Sequence, residues 1–138
     1  MNLRAQNRDL TRPEQVLAAL LGAGFALGFA LTPLGVENRQ KQLRSPFIPV
    51  FFISVGLLMP LAGVVLLLLR RPRPAAALAI VDAGLMFLTA PADQAKLFFT
   101  VEPPPLVTAG EAALTLLGMG YLWYGQRVCD EEEAPRTR

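Results

Sequence analysis

Apolar residues along this chain gather into four long runs, at residues 16–34, 47–69, 75–90 and 106–124, separated by prolines and charges. The runs are 19, 23, 16 and 19 residues long, against the roughly 17–25 that a helix needs to cross a hydrocarbon core of about 30 Å. Helix signals stand at their edges. Thr11-Arg12-Pro13-Glu14 has the form of a capping box with proline in the first turn, and Ser45-Pro46 repeats the cap-then-proline start before the second run. Pro33-Leu34-Gly35 is expected to close the first helix, Arg70 to Pro74 to separate the second from the third, and Pro103-Pro104-Pro105 to stiffen the approach to the fourth. A short interfacial helix is expected over residues 93–99, where Leu97, Phe98 and Phe99 suit a headgroup boundary. The pattern predicts an all-α, integral membrane four-helix bundle with short loops, one membrane domain over residues 1–138, and an acidic cytoplasmic tail at 125–138.

Composition supports the pattern, with 53% hydrophobic and 17% charged residues, whereas an ordinary soluble domain carries about 25% charged. It also narrows the chemistry. The chain has one cysteine, Cys129, and no histidine, so it offers no disulfide, no usual zinc site and no histidine-based triad. There is no P-loop, no G-x-S-x-G, no dinucleotide fingerprint and no repeat between the halves. No catalytic residue or metal ligand is assigned, and the cofactor is unknown. The basic residues are divided among tails and loops with no nucleic-acid motif around them, so the expected partners are the lipid bilayer, a second copy of the chain or another membrane protein, and no nucleic acid. The first run exceeds a signal-peptide core of about 7–15 residues, which makes it a retained helix.

Charge then sets an orientation. With both ends on one side, Arg4, Arg8, Arg12, Arg70, Arg71, Arg73, Arg127, Arg136 and Arg138 share that face, and Arg39, Lys41, Arg44 and Lys96 the other. The positive-inside rule puts both termini in the cytoplasm, in what looks like a bacterial inner membrane, with Tyr121, Trp123 and Tyr124 as an aromatic belt at that surface. The acidic run after Cys129 is expected to be solvated.

Two carboxylates inside the runs ask for an explanation, Asp82 and Glu111, because ionisable residues in hydrocarbon are rare and point to function. The third run is the weakest for the same reason. Its six strongly apolar residues offer roughly 2–4 kcal/mol, about what one central Asp costs. Counted from Pro91 and Pro105, the two acids lie roughly 13 Å and 9 Å below one surface at the helical rise, which predicts a shared depth. Spacing of three and four sets Asp82 with Met86 and Thr89 on one stripe, and Glu111 with Thr108, Thr115 and Gly118 on another. These stripes are expected to face each other, with the hydroxyls bonding the acids. No base lies within any run, so at least one acid is expected to carry a proton.

Other positions read as packing. Gly24 and Gly28, continued by Thr32, form a smooth ridge for close helix approach. Pro60 is expected to kink the second helix, since it cannot donate to the Gly56 carbonyl, and Glu14 to cap the first. Three functions follow as expectations. The first is a non-enzymatic accessory, assembly or interaction protein. The second is a small proton- or cation-coupled transporter using Asp82 and Glu111. The third is a binder of a lipid-like or quinone-like ligand in a pocket lined by the same acids.

Overall fold

The computed structural model describes residues 9–134, so Arg4, Arg8, Arg136 and Arg138, counted above for orientation, lie outside the described residues. Four helices are long and apolar enough to cross a membrane: α1 (Arg12–Gly35), α2 (Ile48–Leu68), α3 (Pro72–Gln94) and α4 (Pro105–Glu133). A 3₁₀ segment, Glu37–Gln42, follows α1. Glu14 begins α1 as its spacing predicts, its Oε2 accepting the Thr11 backbone N–H at 2.8 Å.

Several boundaries differ from the sequence expectation. Residues 46–47 form a turn, with the Ser45 hydroxyl oxygen accepting the Phe47 N–H at 3.3 Å, and α2 starts only at Ile48. Pro33 lies inside α1, which closes at Gly35 as the Pro33-Leu34-Gly35 sequence predicts. Pro91 likewise sits inside α3, which begins three residues before the apolar run and ends four after it, making it 23 residues long instead of 16; a proline near a helix C-terminus removes one internal bond without ending the coil. No helix forms over residues 93–99. Asp93 and Gln94 finish α3, and the chain then reverses through Lys96 at φ 58°. Residues 125–133 are the last turns of α4 and not a separate tail.

The same device ends α2 and α3. Arg70, also at φ 58°, donates its N–H to Leu67, and Arg71 donates to Leu66; at α3, Lys96 donates to Asp93 and Leu97 to Ala92. These are Schellman caps, which satisfy the last carbonyls but place an L-residue where glycine is usual. Within α2 the turn over Ser54–Leu58 is π-helical, immediately before Pro60. Proline leaves the Gly56 carbonyl without its usual partner, and the wider turn takes up the mismatch.

Packing is small inside and large outside. The buried face of α3 is Ala75, Ala76, Ala79, Ala83 and Met86, while Phe29, Val50, Leu58, Val65, Leu88 and Leu116 are turned outward. This is the distribution expected where lipid covers the large side chains and small residues let backbones approach. Gly28 shows how close: a Cβ there would lie 2.1 Å from the Gly56 carbonyl oxygen, so α1 and α2 cross with almost nothing between them. Along the α3–α4 seam, Gly118 lies against Met86 and Phe87, and Gly125 against Ala76 and Ile80. That antiparallel register sets Tyr121 level with Asp82, and Glu111 level with Asp93.

At the loop end the two connections pair. Arg44 N–H donates to Phe98 at 3.0 Å and Thr100 N–H to Gln42 at 2.9 Å, around the Leu43–Phe99 bridge. Phe51, Phe52, Phe98 and Phe99 cluster beneath, with centroids 5.2–6.1 Å apart. At the opposite end an exposed pair, Arg73 and Glu133 at 3.4 Å, joins the start of α3 to the end of α4.

Candidate functional site

A cavity of about 60 Å³ opens at the loop end. Its walls come from α1 (Gly28, Thr32, Gly35), the π turn of α2 (Val55, Gly56), the end of α3 (Met86, Thr89) and the start of α4 (Glu111), with Arg39 at its edge. The close Gly28–Gly56 crossing forms its back. Its size decides what it can hold. One water needs about 10–15 Å³ and a drug-sized ligand roughly 300–1,000 Å³, so the cavity has room for a few waters or a small ion.

Beside it lies a charge cluster that hydropathy did not reveal. Arg39 folds back over the end of α1, its Nε donating to the Gly35 carbonyl at 2.8 Å. Its two terminal nitrogens grip Asp93 at 3.0 and 2.7 Å, and its guanidinium lies 3.8 Å from the Phe99 ring centroid. Arg39 is 4% exposed and Asp93 0%. Both charges leave water, which is tolerated because the fork is bidentate and the Nε–H also has a partner in the Gly35 carbonyl. No base lies within any apolar run, but Arg39, reckoned as a loop charge, is folded into the protein beside Glu111. The four-residue spacing from Gly35 was the available signal, since basic side chains near a helix C-terminus reach its last carbonyls.

Glu111 is 6% exposed, and neither of its carboxyl oxygens receives a hydrogen bond among the described residues. The polar groups around it are the Asp93 carboxylate, the Gln94 amide and the Arg39 guanidinium. Gln94 also donates to the Thr108 hydroxyl at 3.1 Å.

The expected shared site of Asp82 and Glu111 does not form. Glu111 is level with Asp93, and Asp82 lies eleven residues further along α3, about 16 Å at the helical rise. The three further residues at the end of α3 move Asp82 about 4.5 Å deeper, outside the cavity and fully buried. Met86 and Thr89 do line the cavity with Glu111, whereas Thr108 is exposed and Thr115 stands a turn deeper along α4. Nor do the hydroxyls serve the acids. Thr32, Thr89 and Thr115 donate to the carbonyls of Gly28, Leu85 and Glu111 four residues back, at 2.8, 2.7 and 2.9 Å, the usual refuge of a threonine in an apolar setting.

The remaining positions fall into place as packing. Gly24 accepts the Tyr121 hydroxyl against its Cα, Gly28 meets Gly56, and Gly118 meets Phe87. Pro60 is fully buried behind the π turn. Tyr121, expected in an interfacial belt, is instead 0% exposed at mid-bundle, while Trp123 stays outside with Arg127 over its ring at 5.0 Å. No known protein family, curated protein or solved structure matches this chain, so the reading of the site rests on its own geometry.

Proposed function

We propose that this is a multi-pass protein of a bacterial inner membrane, both termini cytoplasmic, that conducts protons across it by way of Glu111, which exchanges with water entering from the opposite face. The orientation rests on the arginine distribution. One observation carries the function: a buried carboxyl with no donor lines a water-sized cavity, beside an ion pair that offers a partner to each of its states. When Glu111 holds a proton, its O–H is a donor for the Asp93 carboxylate. When the proton leaves to water, the Arg39 guanidinium stabilises the charge that remains. A buried acid served in both forms is poised for exchange, whereas a structural acid needs only one.

The test is proton flux into liposomes carrying the purified protein and an internal pH-sensitive dye, under an imposed pH gradient. The native protein should conduct above protein-free vesicles, and Glu111→Gln should fall to their level. Native flux equal to that of empty vesicles, or unchanged flux in Glu111→Gln, would defeat the proposal and favour an accessory role for the bundle.

A further inference from the structure

The α3–α4 register brings a second set of polar groups together, one turn beyond Met86 of the cavity wall. Asp82 and Tyr121 are level there, and both are 0% exposed. Three atoms, the two Asp82 carboxyl oxygens and the Tyr121 hydroxyl, are buried without a hydrogen-bond partner among the described residues. The two side chains nevertheless lie within electrostatic reach of each other. Their separation exceeds a direct hydrogen bond, and the Gly118 and Gly125 contacts that set the α3–α4 register hold them level with each other. Gly24 makes the room on the tyrosine side: a Cβ at that position would fall 1.8 Å from the Tyr121 hydroxyl.

We propose that Asp82 and Tyr121 form a second binding site, at the middle of the bundle, whose ligand is a single water bridging carboxyl and hydroxyl. A carboxylate with no cation beside it is too costly to hold at this depth, so Asp82 keeps its proton. A protonated carboxyl and a phenol each offer a donor and an acceptor, and one water with two to four polar contacts satisfies both. Direct contact would leave the hydroxyl no reason to sit in the Gly24 notch. The site is independent of exchange at Glu111, from which it is separated by Met86 and Gly118.

Infrared spectroscopy of the protein in maltoside detergent, free of lipid ester bands, tests this. The native protein should show a protonated-carboxyl stretch that Asp82→Asn removes and Glu111→Gln leaves in place. Tyr121→Phe should keep that band but move it to higher wavenumber, as the carbonyl loses its bonded water. A water stretch that shifts in H₂¹⁸O should be present in the native protein and missing from both Asp82→Asn and Tyr121→Phe. Gly24→Ala, which alters neither polar side chain, should reproduce the Tyr121→Phe shift by displacing the hydroxyl. No band lost in Asp82→Asn, or a carboxyl band and water stretch unmoved in Tyr121→Phe and Gly24→Ala, would overturn the proposal, whatever the flux experiment gives.

Discussion

Gly28→Ala is the sharpest probe of how the bundle is held, because one methyl group meets a backbone that cannot step aside. The new Cβ would lie 2.1 Å from the Gly56 oxygen and 2.8 Å from its carbonyl carbon. Ordinary contact begins at 3.4 Å, so α1 and α2 must part by roughly 1.3 Å, enough to forfeit about half of the dispersion energy across the crossing. A Cα–H contact to the Gly56 oxygen, worth about 0.5–1 kcal/mol, is lost with it. Overpacking of this kind costs about 1–3 kcal/mol, and the rigid neighbour argues for the upper end. Alanine returns about 1 kcal/mol of helix propensity, leaving a net loss of about 2 kcal/mol. Gly22→Ala is the internal control, since a Cβ there meets nothing within 4 Å and should gain up to about 1 kcal/mol. Equilibrium unfolding in mixed maltoside and dodecyl sulfate micelles should thus separate the two alanine variants by about 3 kcal/mol, more than a hundredfold in the unfolding constant. Equal shifts for both would refute the close crossing and the cavity wall that it builds.

Other substitutions give clear expectations in the same unfolding assay. Arg39→Ala should cost about 3–5 kcal/mol by leaving Asp93 buried and unpaired, and adding Asp93→Asn should recover part of that loss; a single variant as stable as the parent would mean that Arg39 faces water. Arg70→Gly should stabilise by about 1 kcal/mol, because it relieves a left-handed L-residue while keeping the Schellman cap. Glu133→Gln should change stability by less than about 0.5 kcal/mol, as its bond to Arg73 is exposed at both ends.

Hydropathy carried the main architecture, since long apolar runs between charges leave few options in a bilayer, and the spacing of Thr11 and Glu14 correctly announced the start of α1. It failed where tertiary contact outweighed local signals. A run ends at the first charge or proline, yet α3 continues through Pro91 to Asp93 because Arg39 neutralises that aspartate from another part of the chain. The misplaced end also shifted the α3–α4 register, which is why Asp82 and Glu111 looked level. Tyr121 was misplaced for a related reason: α4 runs on three turns beyond it, so a residue near the end of the apolar run is in the middle of the helix. The buried acids themselves were plain in the sequence. Their partners were not, because pairing depends on register, and register is set by glycine and alanine contacts that no periodicity reveals.

The clasp between Arg39 and Asp93 also bears on how the chain assembles. Its two ends are 54 residues apart, and between them lie the whole of α2 and nearly all of α3. While only the first hairpin is inserted, Arg39 has no acid to meet and stays hydrated at the bilayer surface, as a single arginine should. Arrival of the second hairpin supplies Asp93, and only then can the guanidinium leave water, stack on Phe99 and draw the two loops together. Burial of this arginine therefore reports that insertion is complete, and a chain stopped short of α3 would present the same residue to solvent as an exposed mark of unfinished assembly.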